Sequence, residues 1–183
     1  MLFVVAAHFV VIAAGEAAAG ESRGLFGREA WQTEVVRLGL DPEDVIYPFD
    51  ASPEMIGWAE SVLEATRGLG PRFQLSRLQQ AMFDSGVFDF SYDDSRTLTA
   101  EEAFLARRGN CMSFTALFIA MSRSREIPAV FEIGFPLPAD KTSGDIGGYH
   151  CWAWFQDDDG RWRPVDASEA DKAPARAESY YGT

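Results

Sequence analysis

Cysteine and histidine are scarce in this sequence, and their scarcity narrows its chemistry. Only Cys111 and Cys151, and only His8 and His150, occur among 183 residues. Two cysteines are too few for a disulfide framework. No C-x-x-C or H-E-x-x-H spacing is present, so the usual zinc signatures are missing. Positive charge is also thin. Sixteen Lys and Arg stand against 28 Asp and Glu, for a formal net charge of −12. Such a surface repels nucleic acid and anionic lipid, and neither is expected as a partner. No apolar run is long enough to span a bilayer comfortably. Internal repeats and low-complexity segments are absent as well.

What remains is ordinary globular material. Hydrophobic residues make up 47% and charged residues 24%, with 14 Phe and 5 Trp to fill a core. The length suits one domain with a short appended segment. Leu2 to Ala14 is almost wholly apolar, and Ala17-Ala18-Ala19 offers an A-x-A cleavage pattern. Residues 1–19 are therefore read as a signal peptide or apolar leader, although no Lys or Arg precedes the run. The expected location is exported or periplasmic, with a cytoplasmic protein as the alternative. No membrane insertion is expected once the leader is removed.

Helical signals come next. Arg28 to Leu38 reads as a helix closed by Gly39. Asp41-Pro42 and Ser52-Pro53 each pair an N-cap with a proline at the first helical position. After Pro53, the stripe Ile56, Ala59, Val62, Leu63 and Thr66 faces inward. Pro71 to Phe83 is a further helix, burying Leu75, Leu78 and Met82. Phe88 to Tyr92 alternates as a short extended stretch. Thr99 and Glu102 form a capping box for a helix that Gly109 stops. Asn110 then caps a new helix carrying Phe114, Leu117, Phe118 and Met121 on one broad face. Pro128 limits its far end.

Strands dominate the rest. Val130 to Phe135 and Tyr149 to Phe155 are β-prone, separated by a loop over Pro136 to Gly148. Asp158-Asp159-Gly160 is a turn, and Trp162 to Val165 is the return strand. Helices first and an antiparallel sheet afterwards is an α+β order. Residues 24–70 form an N-terminal helical segment, and 71–183 the core.

With His8 in the leader, any histidine chemistry falls to His150. Cys111 opens a helix, where free N–H groups and the positive end of the dipole favour a thiolate. The same groups can hold an oxyanion. Taken alone, an inert buried cysteine would be the plainer reading. His150 shares a strand face with Trp152 and Trp154, while Cys151 takes the other. A three-residue hairpin loop with Gly160 left-handed sets Gln156 against Trp162 and Asp166 against Trp152. Asp166 is then one diagonal step from His150 on the same face. Cys111, His150 and Asp166 so form a nucleophile, base and orienter. By the same alternation Cys151 should face away from Cys111, which disfavours a disulfide between them. It also spoils metal binding by Cys111, His150, Cys151 and Asp166, so no metal is expected.

The segment Arg107 to Phe118 resembles the nucleophile segment of the bacterial transglutaminase-like superfamily. Gly148 to Ala153 is similar to its histidine strand, Gly160 to Ser168 to its aspartate strand, and Thr97 to Ala103 to the helix before its cysteine. The resemblance covers roughly residues 70 to 170, with three motifs in the right order. It implies a papain-like core in which the cysteine helix packs on a small antiparallel sheet. Family members include protein cross-linkers, peptidases, amidases and inactive scaffolds. The triad Cys111, His150 and Asp166 carries over. The oxyanion donor does not, leaving Asn110, Tyr92 and Trp152 as candidates, each with an alternative role in capping or packing. Similar bacterial chains continue beyond a segment like Tyr180-Tyr181-Gly182, so a core truncated at its C-terminus is expected.

The implied activity is attack on an amide or peptide bond through an acyl-thioester, by a peptidase, amidase or protein-glutamine acyltransferase. The alternatives are an acyltransferase of the arylamine N-acetyltransferase type and a catalytically silent binding module. The partner is a peptide or protein substrate, with basic peptides favoured by the acidic surface. No cofactor is needed, and Asp157 to Asp159 reads as a hairpin turn rather than a calcium loop.

Overall fold

The structure is a computed structural model describing residues 27–134 and 150–168. The leader, the loop over Pro136 to Gly148, Phe135, Tyr149 and the Tyr-Tyr-Gly segment lie outside the described residues. The described chain divides into two compact units, up to Pro48 and from Phe49 onward.

The first unit holds helix α1, Arg28–Arg37. It ends as expected, with Gly39 at φ 75°, and its Trp31 meets Tyr47 edge to face at 5.5 Å. The expected helix at Asp41-Pro42 is instead a turn. Asp41 Oδ1 accepts from Glu43 N at 2.9 Å, and Asp41 O accepts from Asp44 N at 3.0 Å. An aspartate that bonds its own following backbone favours a turn as readily as a cap.

The second unit begins with α2, Pro53–Leu63, whose cap Ser52 accepts from Met55 N at 3.3 Å. Its core face is Met55, Ala59, Val62 and Leu63, with Ile56 only half-buried. The helix is thus turned slightly from the expected stripe. A 3-10 turn, Glu64–Thr66, leads to α3, Pro71–Phe83, which buries Leu75, Leu78, Gln79 and Met82. The extended stretch after it is shorter than its alternation suggested. Asp89 adopts φ 57°, so only β1, Ser91–Tyr92, is a strand.

Helix α4, Ala100–Ala106, carries the complete Thr99–Glu102 capping box. Arg107 ends it in the left-handed conformation, while Gly109 lies in β2, Arg108–Gly109. β1 and β2 pair in parallel, Tyr92 beside Gly109. The glycine is needed for a close approach: a Cβ there would lie 2.4 Å from Ser113 Cβ.

Helix α5, Cys111–Ser124, is the spine of the core, with Phe114, Leu117, Phe118 and Met121 fully buried. Phe83 stacks on Phe114 at 5.2 Å, and Phe90 meets the same ring at 4.2 Å. The helix packs on a three-stranded antiparallel sheet of β3, Ala129–Gly134, β4, His150–Gln156, and β5, Trp162–Val165, in that order. Cys151, Ala153 and Phe155 form the buried alternate set of β4. The fold is therefore α+β, with helices preceding a small antiparallel sheet.

The β4–β5 hairpin has the expected register. Gln156 pairs with Trp162 and Ala153 with Val165. Asp157 N donates to Arg161 O at 2.9 Å, and Gly160 sits at φ 76°. That is a three-residue loop with glycine in the bulge, as the turn chemistry demands. Arg163 Nε donates to Asp157 Oδ2 at 2.6 Å and braces the turn.

Candidate active site

Cys111 is placed by the start of α5. Asn110 caps that helix, its Oδ1 accepting from Ser113 N at 3.1 Å. The Asn110 Nδ2 donates to Thr97 Oγ1 at 2.8 Å, and buried Ser113 Oγ accepts from Leu98 N at 2.8 Å. The helix mouth is thereby tied to the segment that leads into α4. Cys111 itself is half-buried, with a free thiol.

His150 opens β4 and Asp166 follows β5. His150 Nε2 and Asp166 Oδ2 are 2.7 Å apart. The imidazole and the Cys111 side chain are near enough for each to shift the other's ionisation. Asp166 is fully buried and well anchored. Its Oδ1 accepts from Ser168 N at 3.0 Å and from Ser168 Oγ at 2.6 Å. Its backbone oxygen accepts from Gln79 Nε2 at 2.5 Å. Every oxygen of the aspartate has a donor, so the carboxylate has no freedom to leave the ring.

The electrostatics follow from these contacts. The Cys111 thiol is pulled down to about 4. The Cys151 thiol beside it donates to its sulfur, burial opposes, and His150 then adds a hydrogen bond and positive charge. His150 is pushed up to about 9, first by the Asp166 hydrogen bond and then by Cys111. Both shifts favour a thiolate and an imidazolium together at neutral pH. Cys151 moves the other way: the adjoining Cys111 sulfur and burial keep it a thiol.

Cys151 is where alternation misleads. It was expected to face away from Cys111, yet its thiol is the largest influence pulling the Cys111 thiol down. The reason is where α5 begins. Thr115 Oγ1 reaches Cys151 O at 3.4 Å, and Arg123 Nε reaches Ala129 O, opposite Phe155, at 3.0 Å. The helix therefore runs in the same direction as β4. Cys111 lies one turn before Thr115, roughly 6 Å further along, past the start of the strand. Alternation separates groups lying over the faces of a sheet. A sulfur at the strand's end is reached from both.

The three candidates for an oxyanion donor fare differently. Asn110 has its amide engaged in the cap and the Thr97 bond. Trp152 is 7% exposed, its ring centroid 6.4 Å from that of His150 and tilted by 30°, so it covers the imidazole. Tyr92 is delivered by the β1–β2 pairing, and the backbone and side chain of Cys111 both act on its phenol. Desolvation and the Cys111 charge raise its phenol.

Gln79 and Ser168 were not singled out from the sequence. Gln79 left a legible mark, a polar residue within the apolar stripe Leu75, Leu78, Met82 of α3. Ser168 left only a serine two residues after an aspartate.

A cysteine at a helix mouth, facing a His–Asp pair on an antiparallel sheet, defines a papain-like cysteine-enzyme fold. The transglutaminase-like superfamily profile matches residues 58–167, and the chain belongs to that superfamily. No curated protein matches. Among solved structures, the chain is similar to a Cytophaga hutchinsonii protein provisionally assigned as a cysteine protease, at 17% identity and a TM-score of 0.54. That match covers 68% of this chain and 40% of the other. The periplasmic domain of TgpA from Pseudomonas aeruginosa, bound to ethylmercury, is 18% identical with a TM-score of 0.50, over 76% of this chain and 53% of that one. The chain thus spans about half or less of the length of these structures.

Proposed function

We propose that this chain is a thiol-dependent hydrolase of amide or peptide bonds, working through Cys111, His150 and Asp166. The observation that carries this reading is the 2.7 Å His150–Asp166 pair, whose imidazole and the Cys111 thiol at the mouth of α5 shift each other's ionisation. Cys111 sulfur attacks the carbonyl carbon, and the His150 imidazolium gives its proton to the leaving amine. The acyl group then sits on Cys111 as a thioester. Neutral His150 next takes a proton from water, whose oxygen attacks the thioester and frees the acid. Asp166 keeps the ring oriented and stabilises its charged form.

Tyr92 and the Cys111 N–H are the oxyanion donors in this scheme. The Cys111 backbone acts on the Tyr92 phenol, and in this scheme an arriving carbonyl oxygen takes the place between the two donors. Water is preferred to a lysine amine as acceptor because no residue pattern here marks an amine site. The leader-like Leu2 to Ala14 run and Ala17-Ala18-Ala19 support an exported enzyme, in keeping with the periplasmic TgpA domain of similar fold.

The test is a mixed peptide library offered with a fluorescent primary amine, using Cys111→Ala as control. Cleaved peptides from wild type alone support hydrolysis. Amine incorporation instead makes the chain a cross-linker. No product, with Cys111 alkylated no faster than Cys151, indicates a silent binding module.

A further inference from the structure

Asp166 is fully buried, and its backbone alone does not fix the rotation of its carboxylate. The terminal torsion of an aspartate is broad and roughly two-fold, so either oxygen could face the ring. Two residues hold it, and they divide the task. Gln79 Nε2 donates to the Asp166 backbone oxygen at 2.5 Å, which fixes the main chain. Ser168 acts on the carboxylate itself. Its N–H donates to Oδ1 at 3.0 Å, and its hydroxyl donates to the same oxygen at 2.6 Å. Oδ2 is then turned to the imidazole, 2.7 Å from His150 Nε2. Ala167 between the two residues is fully buried in the core, which pins the reach from Ser168 to Asp166.

We propose that Ser168 is a positioning residue for the chemistry of this site: its hydroxyl holds Asp166 Oδ1, so that Oδ2 stays on the imidazole and the ring keeps a proton on Nε2. The N–H bond is the common turn of an aspartate onto its own chain, open to any residue at 168 except proline. The hydroxyl bond is particular to this side chain. It is short and its acceptor is charged, and such bonds are about twice as strong as neutral ones. It also answers a need that burial creates, because a carboxylate taken out of water must find donors within the protein. With a proton held on Nε2, Nδ1 is the nitrogen left to exchange a proton with Cys111 under the proposed mechanism.

The experiment labels the full chain with isotopic histidine and follows the Nε2–H proton of His150 by NMR, with His8→Gln to assign the signals. A downfield signal, slow to exchange, is expected in wild type and in Ser168→Thr, which keeps the hydroxyl. In Ser168→Ala the signal should broaden or vanish. Turnover should fall with it, kcat by about 10- to 100-fold with little change in KM, and Ser168→Thr should restore most of the loss. A lower unfolding midpoint with the Nε2–H signal unchanged would make Ser168 a turn residue alone and overturn the proposal. Ser168→Thr no better than Ser168→Ala would overturn it likewise. If Ser168→Ala does not fold, Ser168→Cys is read in the same way, since it keeps the size and the N–H but weakens the donor. Only the kcat readout rests on the hydrolase reading. A chain without turnover sinks that reading, and the proton signal still decides the role of Ser168.

Discussion

Under the proposed mechanism, Cys111 at about 4 and His150 at about 9 set the two limbs of the pH dependence. The nucleophile must have lost its proton, so turnover rises as pH climbs through about 4. The acid that serves the leaving group must keep its proton, so turnover falls as pH climbs through about 9. A bell-shaped kcat/KM profile between these limits is expected, and a single limb near the ordinary thiol value would contradict it. Asp166→Asn keeps an acceptor for Ser168 but removes the charge behind the imidazole. It should lower kcat by about 10²–10⁴ and move the alkaline limb downward, as His150 loses its main support. Tyr92→Phe tests the oxyanion role. A drop in kcat of about 10²–10³ with little change in KM is expected for a lost oxyanion donor, whereas a packing residue would leave kcat alone. The placement of Cys111, His150 and Asp166 was readable because each stands on a separate local signal: a cap, a strand and a turn. Tyr92 was readable only as one candidate among three, because its delivery depends on a two-residue parallel pairing that periodicity cannot reveal.

Two elements do the positioning, the mouth of α5 and the β4–β5 hairpin. Asn110→Ala removes the cap of α5 and its Thr97 bond. A loss of about 1 kcal/mol is expected in denaturant unfolding, together with slower Cys111 alkylation as the helix mouth frays. Gly109→Ala puts a methyl group into Ser113, 2.4 Å from its Cβ. The cap network must shift, and a loss of about 1–3 kcal/mol follows. The hairpin register was legible from Asp158-Asp159-Gly160 alone, since turn length fixes which residues pair. The influence of Cys151 on the ionisation of Cys111 was not. It depends on how far α5 extends past the end of β4, a tertiary offset that strand alternation does not encode. The turn at Asp41-Pro42 was missed for a local reason, as aspartate before proline starts turns and helices alike.

At the scale of the whole molecule, aromatic residues and order along the chain made the α+β class readable. Helices from Pro53 to Ser124 build one wall of the core, and three strands build the other. Gln79 links them, with its buried side chain on α3 holding the backbone of Asp166 beyond β5. Gln79→Leu should therefore lower turnover as well as stability, with an unpaired buried carbonyl costing about 1–3 kcal/mol. The most direct test of the account is the rate of Cys111 alkylation by iodoacetamide across pH, in wild type and in His150→Ala. The account predicts rapid wild-type labelling down to mildly acid pH, with an apparent pKa near the value of about 4, while Cys151 stays unmodified. In His150→Ala the midpoint should move up toward the ordinary thiol range. Wild-type labelling that begins only near that range, or a midpoint indifferent to loss of the imidazole, would contradict it.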